Sequence, residues 1–329
     1  MDATNYEVRL LQQIDQYRSV ENMHDLPSIF HYWSNKHLRP KINSVLEADS
    51  IVEFYSTHFL RAAAKHQGPY SFASLGAGDC SVEIKVAKHL RAKGLNDFTL
   101  ECFELSPVLL TRAAEAAETA QVSHCIRLVP MDLNQWVPKE KTYTGVMANH
   151  SLHHMVELEA IFANTHSALR LDGVFVSNDM IGRNGHMRWP EAQRIVEQIW
   201  GFLPDRLKYN HQLNVLDETF VNRDCSKVSF EGIRAQDILP LLVTRFQFSH
   251  FLGYGGLIDL FVDRGYGHNF DPNDAKDRAL IDFIHELNEL TLEHGIIKPT
   301  IMFAVMTPGA VSQPRFHQNH SPDTLVRVP

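Results

Sequence analysis

A glycine-rich turn between an apolar run and a helical pattern constrains the fold of this chain most strongly. Residues 71–93 read SFASLGAGDCSVEIKVAKHLRAK, so the apolar run 72–75 precedes the turn 76–79 and a helical pattern follows at 80–93. A strand, a glycine turn and a helix are typical of the first unit of a doubly wound α/β sheet. Glycine allows a sharp turn and a close approach of the backbone to a ligand. The sequence therefore predicts a ligand-binding loop at 76–79.

Apolar runs and helical patterns then alternate along the chain. Further strands are predicted at 99–104, 126–131, 143–149, 174–178, 246–251 and 300–306, with helices at 106–119 and 157–169. Alternation at short spacing indicates a mainly parallel sheet with right-handed crossovers. The sequence therefore predicts a doubly wound α/β fold over residues 71–308.

Three segments lie outside this regular alternation. Residues 1–70 are predicted to form an N-terminal helical cap, with one helix marked by Val8, Leu11, Ile14 and Tyr17 and a second at about 45–64. Residues 181–242 are expected to form a helical lid over the carboxyl ends of the strands, and 274–294 an amphipathic helix. Residues 309–329 contain three prolines and few apolar side chains, so we expect a mobile tail.

Polar side chains follow the predicted strands, where ligands of open sheets bind. Glu104 ends the second strand, Asp132 follows the third, and Asn149, His150 and Ser151 follow the fourth. One carboxylate can accept hydrogen bonds from both hydroxyls of a ribose, and the position of Glu104 suits this role. Asp132 either accepts from the amino group of a purine or caps a helix.

The residues of the glycine turn favour an adenosine that carries a cation and no phosphates. The loop lacks the third glycine of the dinucleotide fingerprint. Asp79 at the helix start would repel a pyrophosphate, and Leu133 offers an apolar contact for a purine. Because Glu104 also suits NAD, an NAD-dependent oxidoreductase remains an alternative.

At these residues the chain resembles the class I S-adenosylmethionine-dependent methyltransferases. LGAGD at 75–79 matches the first glycine motif of that family, and ANHSLHHMVELEAIFANTHSALRLDGVFVSNDM at 148–180 is similar to its fourth- and fifth-strand region. The resemblance covers about residues 70–180. It implies a doubly wound, seven-stranded, mainly parallel sheet with an antiparallel last strand. It also implies S-adenosyl-L-methionine as the cofactor and S-adenosyl-L-homocysteine as the product.

The cofactor contacts that the resemblance implies all lie at strand ends. They are Leu75, Gly76, Ala77, Gly78, Asp79, Glu104, Leu105, Asp132, Leu133, Asn149, His150 and Ser151.

The candidate catalytic residues lie where the methyl acceptor should arrive. Methyl transfer needs the acceptor atom about 3 Å from the methyl group, and a hydroxyl acceptor gains from a base such as histidine. Asp179, His186 and His154 are the candidates. No metal site is predicted, because no carboxylate stands at ligand spacing beside His153 and His154.

The acceptor chamber is less defined by the sequence than the cofactor site. Arg183 and Arg188 either hold an anionic substrate or are solvated charges. Four aromatic residues either wall a pocket or pack in a helical core: Trp189, Trp200, Phe202 and Tyr209. The sequence predicts O-methylation of a small molecule or glycan, with N-methylation next. A catalytically silent S-adenosylmethionine-binding or scaffold protein is a further alternative.

Composition narrows the partners. The formal net charge of −8 and the absence of a long basic run argue against nucleic acid. No run of about 18 apolar residues occurs, so no membrane association is expected. Because the four cysteines form no C-x-x-C pair, reduced thiols and a cytoplasmic location are expected. A homodimer is left open.

Overall fold

The structure is a computed structural model that describes Tyr6, Arg9, residues 26–227 and residues 229–327. The helix predicted from Val8, Leu11, Ile14 and Tyr17 lies outside the described residues. Among the helices of the described part, none combines the length and the apolar character needed to cross a membrane.

An eight-stranded sheet forms the centre of the molecule. Its strands are β1 (Tyr70–Leu75), β2 (Phe98–Glu104), β3 (Ile126–Pro130), β4 (Tyr143–Asn149), β5 (Leu169–Met180), β8 (Gln247–Tyr254), β9 (Ile301–Thr307) and β10 (Arg315–Phe316). A separate hairpin pairs β6 (Tyr209–Asn210) with β7 (Val215–Leu216). The order across the sheet is β10-β8-β9-β5-β4-β1-β2-β3, and β9 runs antiparallel to β5 and β8. The doubly wound sheet with an antiparallel last long strand is confirmed, although the predicted seven strands are one too few.

Helices surround this sheet. They are α1 (Ser28–Trp33), α2 (Arg39–Leu46), α3 (Ile51–Ala63), α4 (Ser81–Ala92), α5 (Pro107–Thr119), α6 (Leu158–Ala168), α7 (Pro190–Phe202), α8 (Ala235–Arg245), α9 (Ile258–Val262), α10 (Ala275–Glu293) and α11 (Pro322–Leu325). A π-helical turn, Ser34–Leu38, joins α1 to α2. Successive strand residues face opposite sides, so Val174 and Val176 of β5 join the core beneath α3, α4 and α5, and Phe175 joins the core beneath α6 and α8.

The helix predicted at about 45–64 is present as α3 but begins later, because a separate helix, α2, ends within the predicted span. α2 ends at Leu46 because Glu47 adopts a left-handed conformation with φ of 55°. Ser50 then begins α3, and its hydroxyl accepts a hydrogen bond from the Glu53 N–H at 3.2 Å. α3 packs directly on the sheet, where Phe59 stacks on Phe72 with ring centroids 4.4 Å apart. This part of the N-terminal segment therefore belongs to the body of the domain.

Two inserted segments cover the carboxyl ends of the strands. The helices predicted near 190 and 234 are present as α7 and α8. However, Ile238 and Leu242 of α8 share a core with Leu158 of α6, so α8 packs against the sheet and is not part of the lid. The first insertion therefore spans about 181–234 and includes the β6–β7 hairpin, while a second at 255–300 contains α9 and α10.

The C-terminal segment, predicted as a mobile tail at 309–329, contains two short regular elements, β10 and α11. β10 pairs in parallel with the edge strand β8, whose outer backbone groups would otherwise lack partners in the sheet. Near the end of the described residues, Arg327 Nε donates to Glu191 Oε1 at 2.8 Å and the guanidinium lies over the ring of Trp189.

Candidate active site

The order of the strands creates a crevice at the end of β1. Because β1 lies between β2 and β4, the chain winds away from it in two directions. Ligands of open α/β sheets bind at such a switch point, outside the carboxyl ends of the strands. Here the turns after β1 and β4 meet, and Ser151 Oγ donates to the Leu75 carbonyl at 2.5 Å. A cavity of about 1470 Å³ opens at this point.

The glycine turn requires glycine for its conformation and for space. Gly76 and Gly78 have φ values of 72° and 56°, in the left-handed region. A Cβ atom at Gly76 would lie 2.8 Å from the Cβ of Ser151, closer than real side chains approach. The turn therefore leaves space beside the cavity that a side chain at position 76 would occupy.

Glu104 is fixed next to this turn by backbone donors. Its Oε2 accepts from the Gly78 N–H at 2.9 Å and its Oε1 from the Ser106 N–H at 2.7 Å. Burial raises the pKa of Glu104, although the same N–H groups oppose the rise. Each carboxylate oxygen has a second lone pair, so Glu104 can still accept from the hydroxyls of a ribose. The predicted ribose acid thus fits the adenosyl part of the cofactor.

The two aspartates of the cofactor side also have structural roles. Asp79 Oδ1 accepts from the Ser81 N–H at 3.0 Å, at the start of α4. Asp132 Oδ1 accepts from the Asn134 N–H at 2.9 Å, which is the helix-capping contact considered above. Its Oδ2 accepts from the Tyr6 hydroxyl at 2.8 Å, so the N-terminal segment reaches the cavity at this point.

The structure brings most of the predicted site residues to one cavity. Those that line it are Gly76, Ala77, Gly78, Asp79, Glu104, Leu105, Asp132, Leu133, Asn149, His150, Ser151, His154 and His186. Leu75 is buried beneath the turn and contributes its carbonyl, and Asp179 is buried below the cavity.

The sequence predicts that Asp179 faces the methyl acceptor, and this prediction is wrong. The carboxylate forms hydrogen bonds inside the protein. It accepts from the N–H groups of Ser151, Leu152 and Met180 at 2.9, 2.8 and 2.9 Å. Its Oδ1 also lies 2.6 Å from His153 Nδ1. Burial opposes its ionisation, but His153 and the backbone donors lower the pKa of Asp179. The residue therefore fixes the turn after β4 and the orientation of His153.

A cluster of three histidines surrounds Glu231, a residue that the sequence does not identify as part of the site. Its Oε1 lies 2.6 Å from His186 Nε2 and 3.3 Å from His153 Nε2, and its Oε2 lies 3.7 Å from His154 Nε2. Burial opposes protonation of His153, but Asp179 and Glu231 raise its pKa to about 10. Burial and the charge of His153 lower the pKa of His154 to about 3. At neutral pH His153 is therefore charged and His154 is neutral.

Contacts between two loops place Glu231 in the cluster. The Gly232 carbonyl accepts from the Gly185 N–H at 2.9 Å, and the Ile233 N–H donates to the His153 carbonyl at 3.1 Å. A Cβ at Gly232 would lie 3.0 Å from the Gly185 nitrogen, so the close approach needs glycine. Glu231 is 45 residues from His186 along the chain, and no local pattern indicates this pairing.

Of the two alternatives for the four aromatic residues named from the sequence, a wall of the cavity is not observed, because none of the four lines it. Trp200 is buried in a core and its Nε1 donates to the Asp217 carbonyl at 2.8 Å, whereas the side chain of Phe202 is exposed. Aromatic side chains of the N-terminal helices and of the last strands line the cavity: Phe30, Trp33, Tyr254 and Phe303.

The predicted arginines are paired within the protein. Arg188 Nη1 donates to Asp259 Oδ2 at 2.6 Å. Arg183 Nη1 donates to the Arg188 carbonyl at 3.2 Å. This pairing does not favour the recognition of an anionic substrate by these residues.

Comparison with known families confirms the cofactor-binding unit. Residues 76–177 match the model of a family described as a methyltransferase domain. This chain therefore contains a methyltransferase domain, as the resemblance to the class I family implies. As predicted, it is an S-adenosylmethionine-dependent methyltransferase, and the oxidoreductase alternative is not supported. No curated protein sequence matches this chain.

Solved structures with a similar fold have low sequence identity to this methyltransferase. Geranyl diphosphate C-methyltransferase from Streptomyces coelicolor A3(2) is 9% identical, with a TM-score of 0.43 over 78% of each chain. StiE O-MT is 12% identical, with a TM-score of 0.45 over 88% of this chain and 84% of its own. The [4+2]-cyclase SpnF is 14% identical, with a TM-score of 0.42 over 87% of this chain and 96% of its own.

Proposed function

We propose that this methyltransferase transfers the methyl group of S-adenosylmethionine to a hydroxyl of a small molecule. The observation that carries the proposal is that the glycine turn, Glu104 and the His186–Glu231 pair line the same cavity. A methyl donor and a base for a hydroxyl acceptor can therefore meet in one cavity.

The cofactor side of the cavity has a group for each part of the adenosyl ligand. When bound, S-adenosylmethionine supplies a methyl group on a positively charged sulfur. The turn at 76–79 holds the amino acid end, and Glu104 accepts from the ribose hydroxyls. Asp132 and Leu133 would hold the adenine, and the turn 149–151 would contact the methionine part.

The His186–Glu231 pair has the arrangement of a base and its orienting carboxylate. The 2.6 Å contact holds a hydrogen on His186 Nε2, which leaves the lone pair of a neutral imidazole on Nδ1. His186 Nδ1 then accepts the proton of the hydroxyl as the methyl group is transferred. His154 is a weaker candidate than the sequence suggests, because a pKa of about 3 makes it a poor base at neutral pH.

The size and lining of the cavity favour a neutral acceptor with an aromatic or aliphatic body. At about 1470 Å³ the cavity exceeds the roughly 300–1,000 Å³ that is usual for one ligand, so it has room for the cofactor and an acceptor. Trp33 and Tyr254 provide an aromatic wall, and Arg188 is neutralised by Asp259.

Calorimetry with S-adenosylhomocysteine tests the cofactor side. Glu104→Gln keeps the size of the side chain but removes its charge, and should weaken binding by about 1–3 kcal/mol, which is roughly 5- to 150-fold. Glu118→Gln changes an exposed acid of α5 and should bind as the wild type does. Equal affinities for both variants would place the ribose elsewhere.

Turnover with a labelled methyl group tests the acceptor side. The wild type is incubated with S-adenosylmethionine and matched panels of phenols, aliphatic alcohols and amines. Products should be methylated on oxygen, and His186→Gln and Glu231→Gln should lower kcat by about 100-fold or more while leaving cofactor affinity unchanged. Methylation on nitrogen or carbon alone would exclude the hydroxyl proposal, and unchanged kcat would exclude the base.

A further inference from the structure

We propose that His153, His186 and Glu231 form a binding site for one zinc ion. The inference goes beyond the proposed methylation, because it concerns metal binding and holds for any acceptor. Each residue offers one ligand atom, and the three atoms all lie within 4.8 Å of one another. The three side chains also line the cavity.

The chemistry of the donor atoms favours a transition metal such as zinc over magnesium or calcium. Two imidazole nitrogens and one carboxylate oxygen suit zinc, whereas magnesium and calcium prefer sites made of oxygen alone. A zinc site with three protein ligands keeps a fourth position open for water or a substrate. Because the cluster borders the cavity, the open position would face the space in which the acceptor binds.

One of the distances between the ligand atoms already has the value that zinc requires, and a second needs a small adjustment. Two ligands of a tetrahedral zinc ion, each about 2.05 Å from the metal, lie roughly 3.3 Å apart. The separation of His153 Nε2 and Glu231 Oε1 is already 3.3 Å. The contact between His186 Nε2 and Glu231 Oε1 is 2.6 Å and must open by about 0.7 Å. Both side chains are partly exposed, which allows this movement.

A buried carboxylate prepares His153 for metal binding. Asp179 Oδ1 accepts from His153 Nδ1 at 2.6 Å and keeps the hydrogen on that atom. Zinc would therefore displace the proton that His153 carries on Nε2 at neutral pH and release it to solvent, which leaves the Nε2 lone pair directed towards Glu231 and the metal. A histidine that ligates zinc commonly donates its other ring N–H to a carboxylate in this way. The proposed base has no need of the His153–Asp179 pair, whereas a zinc site explains it.

A second group with ligand chemistry lacks these features. His37, His285 and Glu286 also lie near one another, but His37 Nε2 is paired with Asp282 Oδ1 at 2.7 Å. His285 Nδ1 accepts from Trp33 Nε1 at 3.3 Å, and Glu286 is exposed. We therefore assign the zinc ion to the first group and use the second as a control.

Zinc would change how the acceptor is activated, a consequence that rests on the proposed function. A coordinated His186 Nε2 no longer donates to Glu231. An acceptor hydroxyl at the open position would lose its proton more easily, because zinc lowers the pKa of a bound oxygen ligand.

Calorimetric titration of chelator-treated full-length protein with zinc chloride tests the site without any turnover. The wild type should bind one zinc ion per chain, and Glu231→Gln and His186→Ala should each weaken binding by 100-fold or more. Glu286→Gln, in the second group, and Cys225→Ser, which removes a nearby thiol, should bind as the wild type does. Asp179→Asn should weaken zinc binding by about 10- to 100-fold.

The outcomes separate this inference from the proposed function. No zinc binding by the wild type, or equal binding by Glu231→Gln, would overturn the site and leave the methyl transfer untouched. Retained binding of S-adenosylhomocysteine shows that each variant is folded. If Glu231→Gln does not bind it, His186→Ala, which lies in a partly exposed loop, replaces Glu231→Gln as the test variant. Cobalt in place of zinc should give a visible absorption spectrum of tetrahedral type in the wild type and lose it in His186→Ala.

Discussion

Asp179→Asn tests whether this carboxylate is a structural support or a catalytic group. In the wild type, Oδ2 accepts from two N–H groups, of Ser151 and Leu152, while Oδ1 accepts from the Met180 N–H and pairs with His153. The amide NH₂ of asparagine must replace one oxygen, so two donors lose their acceptor. At about 1–3 kcal/mol for each unsatisfied buried donor, the loss is about 2–6 kcal/mol. Removing one partner of a buried ion pair typically costs about 3–5 kcal/mol, which agrees.

The pKa of His153 predicts how the stability difference between wild type and Asp179→Asn changes with pH. Burial disfavours the charged form of His153, but Asp179 and Glu231 raise its pKa from 6.5 to about 10. A raised pKa contributes stability that is fully present below 6.5 and is lost as the pH rises through about 10. The difference in unfolding free energy between wild type and Asp179→Asn should therefore be largest near pH 6 and narrow towards pH 10.

Urea unfolding at pH 6, 7 and 9.5 measures this difference, and the NMR titration of His153 checks its cause. Asp172→Asn changes an exposed aspartate of the same strand and should leave both quantities near those of the wild type. The pKa of His153 should fall in Asp179→Asn. A loss of stability below 1 kcal/mol together with an unchanged His153 titration would refute the reasoning.

Two further substitutions test the glycine turn and the buried histidines. Gly76→Ala should reduce affinity for S-adenosylhomocysteine by at least tenfold, because Gly76 has a φ of 72° and an added Cβ would lie 2.8 Å from Ser151. Gly94 has a φ of 91° but open space around it, so the control Gly94→Ala should lose about 1–2 kcal/mol of stability and no affinity. Equal affinities in calorimetry would contradict the predicted collision. Burial lowers the pKa of His58 to about 3, so stability should fall as the pH drops from about 6.5 towards 3, by up to about 1.4 kcal/mol per pH unit. Urea unfolding should show that the unfolding free energy depends less steeply on pH in His58→Leu than in the wild type. An equally steep dependence in His58→Leu and in the exposed-site control His124→Leu would contradict the prediction.

The sequence predicts the sheet well because its signals are local. Ser106-Pro107 marks the start of α5, where the Ser106 hydroxyl accepts from the Leu109 N–H at 3.5 Å. Short apolar runs with helices between them define the strands in the same way. The break between α2 and α3 was missed because it depends on Glu47 in a left-handed conformation, for which glutamate gives no signal.

Elements that depend on distant contacts could not be predicted. β10 consists of only two residues and exists because the edge of β8 is available to it. The place of α8 is decided by the core it shares with α6, and its amphipathic pattern alone would equally suit a lid. Helical periodicity identifies a buried face but does not identify what covers it.

The two sides of the candidate site differ in how far they can be read from the sequence. The cofactor residues follow strands directly, so their positions in the chain give their positions at the edge of the sheet. Glu231 lies in an insertion, and its place depends on the approach of Gly232 to Gly185. The sequence pattern therefore could not identify Glu231, the carboxylate of the histidine cluster.

One carboxylate links these two sides of the cavity. Asp179 fixes the Ser151 N–H, and Ser151 in turn donates to the Leu75 carbonyl and limits the space at Gly76. The same carboxylate orients His153, which pairs with Glu231 in the acceptor chamber. Because these contacts are buried and short, the glycine turn cannot shift relative to the histidine cluster without breaking one of them. Under the proposed function, the ends of β1, β4 and β5 would therefore set the separation of methyl donor and acceptor, and the inserted loops would determine which acceptor enters.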